Sequence, residues 1–173
     1  FGHIGEGNLH LNIANCYFLL NNYPKALTHY ALTNRFKNRF NSPVEEALFR
    51  FHYAYCLWQN GDIANAREEM NSTLSIYRRL ASGKNQRAYK HQILYLYRYF
   101  ALFDRMEGKH ASAIDWYQRI IDFSAENGIE IDRARYLQEI GHCYGELGDT
   151  DRAQRFLEQS QVILVDAPDR RQT

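Results

Sequence analysis

Ala134 to Leu157, ARYLQEIGHCYGELGDTDRAQRFL, decides the fold. It reads as a helix, a break at Gly148-Asp149, and a second helix. Its marked positions are Ile140-Gly141, Tyr144, Gly148-Asp149, Ala153 and Leu157. Three earlier stretches share the layout, with Ala26, Ala66 and Ala113 in the slot of Ala153. Twelve to thirteen residues upstream lies an apolar-small pair: Ile13-Ala14, Tyr53-Ala54, Phe100-Ala101 and Ile140-Gly141. Five residues before each anchor sits a helix stop: Asn21, Gly61, Gly108 and Gly148. Four residues after it sits a large apolar residue: Tyr30, Met70, Tyr117 and Leu157. The anchors are spaced by 40, 47 and 40 residues. Repetition at such a period marks a solenoid of stacked units.

Each position has a physical reason. A small residue lets two helices approach, and large neighbours fill the groove beside it. Gly adopts the left-handed conformation that ends a helix. An Asp after it, as in Gly61-Asp62 and Gly148-Asp149, caps the next helix. The third copy departs, with Lys109 after Gly108 and Asp104 in the slot held by Tyr17 and Tyr144. The first has Asn22 after its stop and Pro24 in the opening turn of its second helix, where a missing N–H costs little.

This layout resembles the tetratricopeptide repeat family over roughly residues 6 to 165, in four copies at 6–40, 43–82, 86–127 and 129–165. The family's period is about 34 residues, so copies spaced by 40 or more imply an extended variant. The implied fold is all-α, a right-handed α-solenoid of eight helices in one repeat domain over residues 1–167. Residues 168–173, with Pro168, Arg170 and Arg171, read as the start of a linker. The chain lacks an initiating Met and starts inside a helical unit, which leads to the expectation of a segment from a longer protein.

The helix boundaries follow the same punctuation. Phe1 to Gly7 is Gly-rich and reads as a frayed lead-in. Helices are expected at Asn8–Leu20, Tyr23 to about Phe40, Ser42–Asn60, Asp62 to about Ala81, Gln86–Glu107, Lys109–Asn127, Ile129–Leu147 and Asp149 to about Val165. Ser42-Pro43-Val44-Glu45 is a clear opening, with Ser as cap, Pro in the first turn and Glu reaching back. The centre of the fifth, ILYLYRYF over 93–100, is rich in strand formers. The flanking repeat overrides that preference, because a lone strand would find no partner.

Hydrophobic residues make up 45% of the 173, enough for a continuous core and too many for disorder. The 21 basic and 20 acidic residues leave a net charge of +1, which argues against a dedicated nucleic-acid or membrane surface. The densest basic pairs, Arg78-Arg79 and Arg170-Arg171, are small for DNA binding. No apolar run approaches a membrane span of about 18 residues. Cys16, Cys56 and Cys143 each precede an anchor by ten residues, with Phe103 in the third copy. They are therefore expected as small buried hydrophobes on different layers, reduced and cytoplasmic. Layers sit about 8–10 Å apart, beyond disulfide reach.

The seven histidines hold no pair at helical i, i+4 spacing with a Glu, and no Cys-x-x-Cys exists. His142-Cys143 point about 100° apart on a helix. The Gly-rich Gly2–Gly7 lacks the Lys and Ser/Thr of a phosphate loop. No catalytic site, metal site or cofactor is therefore assigned.

In the family resembled, the first helix of each pair lines a concave groove. The resemblance implies a peptide-binding set: Asn8, Asn12 and Asn15; His52, Tyr55 and Gln59; Tyr95, Arg98, Tyr99 and Arg105; Arg135, Gln138, Glu139 and His142. Asn and Gln amides bond a peptide backbone from both ends, Arg grips a carboxylate through two bonds, and Tyr offers a flat face with a polar tip. Asn12, Asn15, Arg98 and Arg135 are the foremost of these. Some members bind a chaperone's carboxylates through a clamp of Lys, Asn and Arg. Asn15 matches one clamp position, but Leu11, Tyr95 and Tyr99 stand where the clamp needs polar or basic groups. The expectation is a non-enzymatic scaffold for a protein or peptide ligand, the regulatory part of a larger signalling or transcription-related protein. The alternative is a structural module that dimerises or packs on an appended effector domain.

Overall fold

The structure is a computed structural model that describes the backbone of residues 2–35, 40–83 and 86–166. The expected linker at 168–173 lies outside the described residues. The helices are α1 (Gly2–Leu19), α2 (Tyr23–Asn34), α3 (Pro43–Gln59), α4 (Ile63–Ala81), α5 (Gln86–Met106), α6 (His110–Glu126), α7 (Arg133–Glu146) and α8 (Thr150–Asp166). Among the described residues there is no strand, so the repeat does override the strand formers of 93–100. The chain divides into two compact units, Phe1–Tyr89 and Lys90–Thr173.

All four expected stops hold the left-handed turn. Asn21, Gly61, Gly108 and Gly148 have φ of 56°, 83°, 71° and 77°. Each is followed by a paired closure: the Asp62 N–H donates to the Leu57 carbonyl and Gly61 to Trp58, and Asp149 donates to Tyr144 and Gly148 to Gly145. These bonds satisfy carbonyls that the helix end leaves open. The next helices are then capped by Asn22, Asp62 and Asp149, whose side chains accept from the N–H groups of Lys25, Asn65 and Arg152. Lys109 gives α6 no side-chain cap, as its chemistry requires. At α3, Ser42 accepts from Glu45 N–H, while the Glu45 carboxylate reaches back to Asn41 N–H.

Three boundaries depart from expectation. The helix of α1 takes in Gly2 to Gly7, which the sequence suggested as a lead-in. The second helix stops at Asn34 and Phe40 is not helical; residues 36–39 lie outside the described ones. Helix α7 begins at Arg133 rather than Ile129, because a fifth left-handed turn at Gly128 (φ 60°) closes α6. The Ile129 N–H then bonds the Ser124 carbonyl, Ile129 buries its side chain beyond the closure, and Asp132 caps α7 at Arg135 N–H.

In the first unit, Ala14, Ala26, Tyr30, Phe49 and Cys56 form one buried cluster joining α1, α2 and α3. Arg50 ties α3 to α4 by donating to Glu69 at 2.7 Å while also holding Glu46. In the second unit Trp116 stacks on Phe100 at 4.8 Å. Asp104 is buried, and its carboxylate accepts from Ser112 Oγ at 2.6 Å and Trp116 Nε1 at 2.9 Å. The aberrant residue of the third copy is thus a polar tie between α5 and α6. A buried carboxylate persists only with such donors. In the fourth pair a side chain on Gly141 would come within 3.0 Å of Leu157 Cγ and 3.2 Å of the Ala153 carbonyl oxygen, so the small residue is demanded by the approach of α8.

The cysteine expectation holds at two positions and fails at one. Cys56 and Cys143 are buried; Cys16 is exposed. Cys56 faces back onto the preceding pair, beside Ala14, Ala26 and Tyr30. Among the described residues no helix packs on α1 from the corresponding side, so the same slot lies open there.

Candidate functional site

The expected ligand-binding residues separate according to their register on the helix. Counted back from the anchor Ala, positions 17, 14 and 10 form one stripe. On α3 that stripe is Phe49, His52 and Cys56, and it packs on the first pair: Phe49 meets Tyr30, and His52 stacks on Phe18 at 4.3 Å. Burial holds the His52 imidazole pKa below the usual histidine value, so the ring stays neutral. On α7 the same stripe is Tyr136, Glu139 and Cys143, and it packs on α5 and α6. Tyr136 lies against Tyr117 at 6.2 Å, and Glu139 accepts from Arg105. Arg105 also meets the Tyr117 hydroxyl. Arg105, Glu139 and His52 are therefore engaged in packing between helix pairs. Asn12 occupies the stripe's middle position on α1 and is exposed, as Cys16 is.

Asn15 is a structural partner. Its side-chain oxygen accepts from the buried Tyr30 hydroxyl at 2.7 Å, closing α1 onto α2. Tyr55 meets Phe18, Tyr23 and Trp58 edge-on, at 5.6, 5.3 and 5.2 Å. Asn8 and Gln59 are exposed. In the first unit the expected set thus leaves Asn8, Asn12 and Gln59 exposed, with the rest of it bonded or packed.

In the second unit the set does converge. On α5, Tyr95 and Tyr99 share a hydroxyl hydrogen bond at 3.2 Å, and the Arg98 guanidinium lies 5.8 Å from the Tyr95 ring. Arg98 is exposed and makes no ion pair among the described residues. A cleft of about 380 Å³ opens beside it between α5, the α6–α7 connection and α7. Leu94, Ile129 and Tyr136 supply apolar wall; His91, Gln92 and Glu130 supply polar groups. Tyr136 has its phenol pKa raised by burial, while the charges of Arg98 and Arg135 pull it down. Both guanidinium groups therefore lie on the Tyr136 side. Gln138 is half-buried and His142 exposed; His142 lines a second cleft of about 440 Å³ with Leu102, Arg105, Met106 and His110.

The cleft residues His91, Gln92, Leu94, Ile129, Ile131 and Tyr136 were not among the sequence candidates. The sequence pattern places Ile129 to Asp132 in a helix, and only the Gly128 turn makes that segment a cleft wall. Among the described residues no cluster of His, Cys, Asp and Glu is placed to hold a metal ion. None of the described helices is long and apolar enough to cross a membrane.

Residues 134–161 match the family model of the tetratricopeptide repeat. The fourth helix pair is a tetratricopeptide repeat. The fold of the chain as a whole is of that type too, as solved structures show at low identity. RapI in its apo form is similar with a TM-score of 0.75 at 18% identity, over 94% of this chain and 57% of RapI. BtubC from P. vanneervenii gives 0.71 at 14% identity, over 96% of this chain and 68% of that one. A kinesin light chain with tetratricopeptide-like repeats from Podosopora anserina gives 0.63 at 15%, over 95% and 79%. No curated protein matches in sequence. The tetratricopeptide fold is in general a non-enzymatic interaction scaffold, and this chain spans little more than half the length of RapI.

Proposed function

We propose that this tetratricopeptide repeat chain is a non-enzymatic scaffold that binds an extended segment of a partner protein on the α5–α7 face of its second unit. The observation that carries the reading is Arg98: an exposed guanidinium without an ion pair among the described residues, set over an aromatic ring and beside a half-apolar cleft. Arg98 and Arg135 offer two-bond recognition of carboxylates. Leu94, Ile129 and Tyr136 take up an apolar side chain next to them. The ligand is then a peptide with an acidic residue near a bulky apolar one. A regulatory place in a larger signalling or transcription-related protein in the cytoplasm rests on analogy with the repeat family alone. The exposed Val162, Leu164 and Val165 of α8 favour a second reading, in which α8 packs on another domain or copy.

The test is selection from a random peptide display library on the wild-type chain and on Arg98→Ala/Arg135→Ala. Acidic-apolar peptides should be enriched on the wild type and bind the variant at least about tenfold more weakly, with helicity and melting unchanged. Equal binding by the two proteins would remove the α5–α7 face from consideration.

A further inference from the structure

Helix α7 carries Arg135 near its start and Glu146 at its end, eleven residues apart. Eleven residues turn a helix through three full turns and about 20° more, and advance it by about 16 Å. The two side chains therefore lie on one stripe, with Gln138 and His142 between them. Both are exposed, and neither makes an ion pair among the described residues. Each end of the stripe adjoins one of the two clefts of the second unit. Arg135 precedes Tyr136, which walls the cleft of about 380 Å³. Glu146 itself lines the cleft of about 440 Å³, with Leu102, Met106 and His142.

The two ends are opposite in charge. At the first, Arg98 and Arg135 outnumber the Glu130 carboxylate of the lining, while Asp132 caps α7. At the second, Arg105 is held by Glu139 and Lys109 by Glu107, so neither cation offsets Glu146. The helix itself adds the same polarity, with partial positive charge at its start and partial negative charge at its end.

We propose that the α5–α7 face reads a second, basic residue of its bound segment at Glu146, about five residues away from the acidic residue that Arg98 and Arg135 hold. The inference rests on the reading of this face as a peptide site. An extended chain advances about 3.3 Å per residue, so five residues cover the 16 Å between the two charges. The stem of a Lys or Arg lies along half-buried Leu102 and along Met106, which is 56% exposed, and its charged head meets Glu146. Met106 adapts its shape to such a stem. Opposite ends also exclude wrong ligands. A segment acidic at both positions is repelled at Glu146, and one basic at both is repelled at Arg98 and Arg135.

The test repeats the random peptide display on the wild type and on Glu146→Lys, read position by position. The wild type should enrich Lys or Arg about five residues to one side of the acidic residue. Glu146→Lys should lose that preference and enrich Asp or Glu at the same place. Fluorescein-labelled peptides then measure the spacing, with an Asp-Leu pair and a Lys two, five or nine residues away across a Gly-Ser spacer. Lys at the middle spacing should tighten binding about threefold over Gln there, and Glu146→Gln should abolish that gain. Acidic-apolar enrichment with no spaced basic residue, or a gain that survives Glu146→Gln, would overturn the inference and leave the α5–α7 site standing. Absence of the acidic-apolar enrichment would instead overturn the site.

Discussion

Helices α1 and α3 carry the same register and meet different surroundings. Ala14 and Ala54, the small residues that let each partner helix approach, are both fully buried. One stripe over, the two helices diverge. Phe49 is 2% exposed and Cys56 is fully buried, while their counterparts Leu9 and Cys16 are exposed, Leu9 at 57%. The stripe that α3 presses onto the preceding pair is the stripe that α1 leaves uncovered. Register fixes which way a side chain points; the next layer decides whether it is buried. In a repeat array each unit contacts only its neighbours, so a whole stripe is covered or left open at once, and among the described residues no helix covers that of α1.

The sharpest way to break this comparison is to place a charge in the shared slot. Cys56→Asp should cost about 3 kcal/mol or more, because the cluster of Ala14, Ala26, Tyr30 and Phe49 offers the carboxylate no cationic partner. Cys16→Asp should stay within about 0.5 kcal/mol, as a surface change does. Urea denaturation of the two variants measures both. Similar losses would mean that α1's stripe is covered in solution.

A smaller effect separates two asparagines on α1 that the sequence ranks alike. Asn15→Ala should cost about 1–3 kcal/mol, since it strands the buried Tyr30 hydroxyl. Asn12→Ala should cost less than about 0.5 kcal/mol. The same denaturation experiment checks this, and an equal cost would return Asn15 to the ligand-binding set.

The smallest perturbation uses the thiols as they are. Burial pushes the Cys56 thiol up to about 12 and raises that of Cys143 as well. Alkylation at pH 8, followed by mass spectrometry, should therefore give a single early adduct, at Cys16. Early labelling of Cys56 would show that the first unit opens on the labelling timescale.

Much of the fold was legible because its signals are local. The left-handed turns at Asn21, Gly61, Gly108 and Gly148 and the caps at Ser42, Asp62 and Asp149 depend on residues a few positions apart. The start of α7 was missed for an equally local reason: Gly128 also ends a helix, and Asp132 rather than Ile129 begins the next. The candidate site was legible only in part. Tyr95 and Arg98 come to one face of α5, as helical spacing requires, and Arg135 on α7 joins Arg98 only through the packing around Tyr136. The cleft beside them needs the 129–132 connection to fold against α5, which no spacing announces. Asn15, His52, Arg105 and Glu139 look like surface polar residues in sequence, but each is committed to a partner far along the chain.

The sequence by itself determined the four helix pairs, their register and the positions where one helix must pass close to the next, because period, helix stops and small residues act over a few turns. Only the tertiary structure decided which copy of an equivalent slot is buried and that Asp104 ties α5 to α6 through Ser112 and Trp116. Those outcomes depend on contacts between helices, and a contact is a property of two surfaces that one stretch of sequence does not contain.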